Sequence, residues 1–140
     1  ELAAYRGVDE PTSRAMIADA IGLQEAIAPT ERLIGDLKAA GYKLYVLSNM
    51  SREFIDFLRR IPVYGNFDGE VISCEEFVVK PEPRIYEILL SRYGLVPSET
   101  MFIDDRSENV EAAARFGIVP FRFSASDPEE SCRRLRAILL

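Results

Sequence analysis

Two kinds of hydrophobic pattern alternate along the chain from residue 29 onward. Segments with apolar residues at helical spacing are separated by short, continuously apolar runs. The spacing predicts helices over 30–40, 51–58, 83–93, 107–116 and from 127 to the end, and strands over 43–47, 70–72, 100–103 and 118–122. Glycine follows three of these helices, at Gly41, Gly94 and Gly117, where helices commonly end. Strands alternating with helices across short loops predict βαβ units and a doubly wound, Rossmann-like parallel sheet in an α/β fold.

The first 28 residues have a different pattern. They predict helix only, at about 1–6 and 11–22, with no strand between. We therefore expect two units, a helical piece over 1–28 and an α/β core over 29–140.

Composition narrows the chemistry. The chain has no histidine, which excludes imidazole bases, Ser-His-Asp systems and histidine zinc sites within it. Its net charge of −6 disfavours nucleic-acid binding, which relies on phosphate neutralisation. Cys74 and Cys132 are expected to be free, buried or half-buried thiols. No apolar run is long enough to span a membrane, so we expect no membrane association and a reducing, cytoplasmic location.

Polar residues follow the predicted strands at one edge of the sheet. Ser48 and Asn49 follow the strand at 43–47, Asp104 and Asp105 follow the strand at 100–103, and Lys80 lies in a loop before a helix. Ligands of open α/β sheets bind beyond the carboxyl ends of the strands. Adjacent carboxylates suit Mg²⁺, while the hydroxyl and ammonium groups suit phosphoryl oxygens.

Each of these residues also has an ordinary structural interpretation. Asp105 and Glu108 have the spacing of a capping box for the next helix. Lys80 before a proline is commonly a solvated turn residue, and Ser48-Asn49 is typical of a helix-entry turn. The functional hypothesis therefore depends on the order of the motifs.

That order resembles the haloacid dehalogenase-like (HAD) hydrolase superfamily. The resemblance rests on Leu47-Ser48-Asn49, then the run 79–86 (VKPEPRIY), then the run 102–113 (FIDDRSENVEAA). It covers residues 29–123 and is closest to the helical-cap phosphatases of small molecules, near the sugar-phosphate phosphatases and the phosphatase domain of soluble epoxide hydrolases. Residues 1–28 then resemble the remnant of a helical cap.

The resemblance implies a role for each matching residue. Ser48 would bind a phosphoryl oxygen, with Asn49 beside it, and Lys80 would offset the charge of nucleophile and phosphate. Asp105 would bind Mg²⁺ directly, and Asp104 directly or through water. The expected function is Mg²⁺-dependent hydrolysis of a small phosphorylated metabolite through an aspartyl-phosphate.

The family's first motif, a strand ending in D-x-D, is missing. Asp9 has no strand before it, Asp56 lies within a helix, and Asp68 follows an irregular loop. In the family this strand lies between those predicted at 43–47 and 100–103. We therefore expect those two strands not to pair directly, the gap being filled by residues outside this chain or by a strand from another segment or chain. We also expect these 140 residues alone to be inactive.

Three alternatives have distinct signatures. Dehalogenases of the same superfamily share the Ser-Asn and Lys motifs, need no metal and lack the paired Asp. Receiver domains of response regulators combine similar residues, but their Asp pair comes first along the chain. A non-catalytic scaffold or binding protein would have lost the nucleophile altogether.

Overall fold

A computed structural model describes residues 2–5, 14–18 and 28–140. Its strands are β1 (Leu2–Tyr5), β2 (Arg14–Ala18), β3 (Tyr42–Ser48), β4 (Gly69–Ile72), β5 (Met101–Asp104) and β6 (Val119–Arg122). Its helices are α1 (Ala28–Ala39), α2 (Arg52–Leu58), α3 (Ser73–Glu76), α4 (Pro83–Tyr93), α5 (Ser107–Ala114) and α6 (Pro128–Leu139), with 3-10 turns at Pro62–Asn66 and Pro97–Glu99.

The strands form one sheet in the order β4-β3-β1-β2-β5-β6. Four strand pairs are parallel: β3 with β4, β2 with β3, β2 with β5, and β5 with β6. Only β1 runs antiparallel, to β2 and β3. The predicted α/β fold with a parallel sheet is confirmed, with one antiparallel strand that the sequence pattern did not indicate.

The helices predicted at 1–6 and 11–22 are wrong wherever the structure describes those residues. Leu2–Tyr5 and Arg14–Ala18 are strands of the central sheet. Their alanines favour helix as an intrinsic propensity, but propensity is a weak term that tertiary context overrides. Here the neighbouring strands offer backbone partners, and pairing satisfies N–H and C=O groups that an open edge would leave unpaired. Residues 1, 6–13 and 19–27 lie outside the described ones, and a domain boundary at residue 28 stays a prediction.

The strands β3 and β5 do not pair with each other, as expected. Two strands of the same chain, β1 and β2, lie between them in the sheet order, and β2 pairs with both: Ala18 lies opposite Val46 of β3, and Ile17 lies opposite Phe102 of β5. Another segment of this chain therefore fills the gap. The expectation that β3 and β5 do not pair directly is therefore confirmed, with strands from another segment of the same chain between them.

The core has two layers because successive strand residues point to opposite faces of a sheet. Leu44 and Val46 of β3 pack on one face with α1 and α6. Tyr45 and Leu47 pack on the other face with α4 and α5. Both faces are covered, so β3 reads as one apolar run, as parallel strands do.

Several helix ends match their predicted signals. Ser51 caps α2 by accepting a hydrogen bond from the Phe54 amide at 3.2 Å. The carboxylate of Asp127 does the same for the Glu130 amide at the start of α6. Gly41, Gly94 and Gly117 all have positive φ, which explains why glycine occupies these helix ends.

Both cysteines are free thiols, as predicted. Cys74 is half-buried, and Cys132 is buried with its sulfur 3.9 Å from the Thr30 hydroxyl. Burial raises the pKa of the Cys132 thiol, which disfavours the reactive thiolate. Among the described residues, every helix is too short or too polar to cross a bilayer.

Candidate functional site

The carboxyl end of β3 is fixed to two neighbouring segments. Ser48, the last residue of β3, is fully buried. The Asn49 side chain accepts a hydrogen bond from the Lys80 amide at 2.8 Å and donates one to the Lys80 carbonyl at 3.2 Å. On the other side, the Ser73 hydroxyl accepts a hydrogen bond from the Met50 amide at 2.9 Å. The turn after β3 is thereby held in register with the loop that carries Lys80.

Lys80 and Asp104 form a buried ion pair. The Lys80 Nζ lies 3.0 Å from the Asp104 Oδ2, and their side chains are 1% and 0% exposed. The same ammonium lies 5.8 Å from the centre of the Phe102 ring. The interpretation of Lys80 as a solvated turn residue is therefore wrong. A lysine is buried this deeply only when its charge is paired.

The Asp104 carboxylate is occupied by protein donors. Besides Lys80, its Oδ2 accepts a hydrogen bond from the Asn109 side chain at 3.0 Å, and its Oδ1 accepts one from the Arg106 amide at 2.7 Å. The Tyr86 hydroxyl in turn donates to the Asn109 carbonyl at 2.9 Å. Asp104 therefore fixes Lys80 and the start of α5, and both of its oxygens already have partners.

Asp105 is in the opposite situation. Its Oδ1 is buried and has no hydrogen-bond partner in the described part of the chain. It does not cap α5, because the N-cap of that helix is Arg106 and no side chain accepts a hydrogen bond there. The capping-box interpretation of Asp105 and Glu108 is therefore wrong. A buried carboxylate oxygen without a donor is costly unless a cation accompanies it.

The residues present fit a magnesium ion at Asp105. A carboxylate oxygen is the ligand type that Mg²⁺ selects, and the ion usually keeps several waters and needs only one or two protein carboxylates. In the described residues, no three acidic or sulfur side chains are grouped in a manner that would hold a metal. Asp105 is the residue that would hold the ion, and further ligands would come from water, substrate oxygens or residues outside those described.

The structure joins most of the predicted site residues in one continuous set of contacts. Asn49 contacts Lys80, Lys80 contacts Asp104, and Asp105 follows Asp104 at the same sheet edge. Ser48 lies at that edge, at the end of β3. Asn109 was missed as a site residue, although it sits in the predicted helix that follows the Asp pair.

No D-x-D sequence occurs in the 140 residues. Of the two strands between β3 and β5, β2 is parallel to both, and it ends at Ala18. Asp19 follows it in sequence and lies outside the described residues. Two positions after Asp19 stands the apolar Ile21, so the second carboxylate of the motif is missing there.

Comparison with known proteins gives consistent matches. The family model for haloacid dehalogenase-like hydrolases matches residues 4–117. A sesquiterpene phosphatase of Aspergillus oryzae is 32% identical over 108 residues, covering 76% of this chain and 54% of its own length. An (S)-2-haloacid dehalogenase of a Pseudomonas species is 30% identical over 99 residues, covering 69% and 44%.

A solved structure gives the same result. The crystal structure of a HAD-family enzyme from Bacteroides thetaiotaomicron, in complex with magnesium and inorganic phosphate, superposes with a TM-score of 0.59 at 30% identity, over 65% of this chain and 50% of that one. The chain thus spans about half the length of each of these three proteins. On its motifs, its fold and these matches, the chain belongs to the haloacid dehalogenase-like hydrolase family.

Proposed function

We propose that this chain is part of a Mg²⁺-dependent phosphoric monoester hydrolase that acts on a small phosphorylated metabolite. The observation that carries the proposal is the Asp105 Oδ1, a buried carboxylate oxygen with no donor among the described residues, beside an Asp104 whose two oxygens each accept at least one hydrogen bond. A buried carboxylate oxygen with these surroundings is suited to binding a cation. The phosphatase relative and the neighbour with bound magnesium and phosphate support the same reaction class.

The chain's own residues supply the phosphate-binding end of the site. Mg²⁺, when bound, supplies positive charge to the phosphoryl oxygens. The Ser48 hydroxyl is proposed to bind one of those oxygens at the end of β3. Lys80 places a positive charge near the phosphate, and Asp104 fixes that charge in position through the 3.0 Å ion pair. Because the side-chain amide of Asn49 is occupied by the Lys80 backbone, we propose that Asn49 assists phosphate through its own backbone N–H.

We propose that the nucleophile is an Asp of a D-x-D strand outside these 140 residues, which would take the place that β2 occupies here between β3 and β5, and that the 140 residues alone are inactive. The Asp carboxylate attacks phosphorus, the bond to the ester oxygen breaks, and the second Asp of the motif gives its proton to the leaving alcohol. That second Asp then takes a proton from water, which attacks phosphorus and releases phosphate. Asp19 is an unsuitable substitute, because Ile21 cannot carry this proton.

Dehalogenation is the second candidate, because a haloacid dehalogenase is among the relatives at 30% identity. Displacing halide from carbon needs no cation, so this reaction does not account for the buried Asp105 Oδ1, which has no partner among the described residues. A non-catalytic scaffold, the third candidate, would bind phosphate or substrate without turnover. Binding of a small phosphorylated metabolite rather than nucleic acid, and a cytoplasmic location, remain predictions.

Reaction class is tested by assaying the full-length protein with p-nitrophenyl phosphate and with L-2-chloropropionate, each in Mg²⁺ and in EDTA. We expect nitrophenol release in Mg²⁺ only and no chloride release. Chloride release that EDTA does not affect would establish the dehalogenase, and no turnover of either compound would support the scaffold.

A further inference from the structure

A cavity that the proposed reaction does not use opens beside Asp105. Its volume is about 320 Å³, and it lies at the carboxyl end of β6. It is lined by Asp105, Arg122 and the loop 123–126. Since Asp104 pairs with Arg122 across β5 and β6, the cavity lies at the same sheet edge as the ion pair and the proposed metal ligand.

Arg122 supplies a positive charge to this cavity. Its Nε donates to the backbone carbonyl of Asp105 at 3.3 Å, which places the guanidinium next to the proposed metal ligand. The side chain is exposed, and no carboxylate forms an ion pair with it in the described part of the chain. A guanidinium has five N–H donors in a planar fork, so one carbonyl contact leaves most of its binding capacity for an anion.

The loop after β6 adds two hydroxyls. The Oγ atoms of Ser124 and Ser126 lie 3.0 Å apart, and the Ser124 amide donates to the Ser131 hydroxyl at 2.9 Å, which fixes the loop to α6. The acidic residues at the start of α6, Asp127, Glu129 and Glu130, line a different cavity at the face shared with α1. The cavity beside Asp105 therefore combines one cation with two hydroxyls, and Asp105 is the only acidic residue among the described residues that line it.

We propose that this cavity is a subsite for a carboxylate carried by the phosphorylated substrate. The inference rests on the proposed function, because the phosphate would lie at the neighbouring Asp105 and Lys80. A carboxylate matches the single charge and the planar fork of Arg122. A second phosphate would bring about two negative charges to a site with one described cation beside a carboxylate. The substrate class is thus a short phosphorylated carboxylic acid.

The test uses two phosphonates that cannot be hydrolysed, so that binding is measured apart from turnover. 3-Phosphonopropionate carries a carboxylate, and propylphosphonate carries a methyl group in its place. By calorimetry on the full-length protein in Mg²⁺, we expect the carboxylate compound to bind about 10- to 100-fold more tightly, the range of one charge-assisted contact. Arg122→Met should bring that ratio close to one, and Arg122→Lys should give an intermediate ratio. The control Arg115→Met, an exposed arginine at the end of α5, should keep it.

The outcomes separate the subsite from the proposed function. Equal affinity for the two phosphonates in the wild type, no binding of 3-phosphonopropionate, or a preference that survives Arg122→Met would overturn the subsite. If phosphate esters were still hydrolysed in that case, the proposed function would stand alone. A preference that depends on Arg122, in a protein that hydrolyses no phosphate ester, would support the subsite and overturn the phosphatase.

Discussion

Asp105→Asn is expected to lower Mg²⁺-dependent turnover of p-nitrophenyl phosphate by at least about 10²- to 10³-fold in the full-length protein. The substitution keeps the shape of the side chain and removes the negative charge from the buried oxygen that would hold the cation. Because Asp105 caps no helix and its Oδ1 has no protein donor in the described residues, folding should be nearly unaffected. The free energy of unfolding without Mg²⁺ should not fall, because the substitution removes a charge from a buried oxygen that has no donor among the described residues.

The measurement combines turnover with thermal unfolding, each over a range of Mg²⁺ concentrations. A ligand that binds only the native state raises the unfolding temperature, so Mg²⁺ should stabilise the wild type and not Asp105→Asn. The control is Asp56→Asn, a surface carboxylate on α2 that is 52% exposed, which should keep both turnover and the response to Mg²⁺. Turnover at the wild-type level in Asp105→Asn, or an unchanged stabilisation by Mg²⁺, would show that Asp105 is not the metal ligand.

Asp104→Asn is expected to destabilise the fold by about 3–5 kcal/mol, as loss of one partner of a buried ion pair does. Three donors converge on the Asp104 carboxylate, from Lys80, Asn109 and the Arg106 amide. An asparagine has one oxygen to offer them and adds two donors of its own. The Lys80 ammonium, whose side chain is 1% exposed, would lose the carboxylate charge that lies 3.0 Å from it.

A double-mutant cycle with Lys80→Met isolates the ion pair. Once the ammonium is gone, Asp104→Asn should cost about 1–3 kcal/mol less than in the wild type, because no charge is then left unpaired. Chemical denaturation of the four proteins gives the free energies. The matched control is the exposed pair of Arg84 and Glu87, for which Glu87→Gln should cost less than about 0.5 kcal/mol. If the losses of unfolding free energy in the two single variants simply add in the double variant, Lys80 and Asp104 are not energetically coupled.

The sequence pattern predicted the β3-to-α6 part of the fold well, because periodicity in those segments follows from which faces are buried. The apolar run of β3 and the glycines that end three helices are local signals that tertiary contacts reinforce. The segments Leu2–Tyr5 and Arg14–Ala18 carry no such signal. Their strand conformation comes from pairing with partners distant in sequence, which a local pattern does not contain.

The roles of the site residues stay predictions, and the structure adds that Asp104 and Asp105 differ in their contacts. Adjacency suggested that Asp104 and Asp105 share a cation. Consecutive residues at a strand end point in opposite directions, so Asp104 lies on the face of Phe102, where Lys80 is buried. Asp105 lies beyond that face, with its Oδ1 unpartnered. The long-range contact between Lys80 and Asp104, 24 residues apart, is what sequence spacing could not supply.

Arg122 was not among the predicted site residues, although the sequence indicates that it lies at the end of a strand. It ends the predicted strand at 118–122, and the rule that ligands bind beyond the carboxyl ends of strands applies to it as it does to Ser48 and Asp104. What the sequence could not supply is the absence of an acidic partner for it among the described residues, which depends on how the loop after β6 folds back on α6.

The most direct test of the account is to locate the phosphoryl group on the enzyme during turnover. The full-length protein is quenched with acid while it hydrolyses p-nitrophenyl phosphate in Mg²⁺, digested, and examined by mass spectrometry. We expect one phosphoryl group, removed by hydroxylamine as an acyl phosphate is, on an Asp outside the 140 residues. Phosphate on the Ser48 hydroxyl, or on an Asp within this chain such as Asp19, would contradict it.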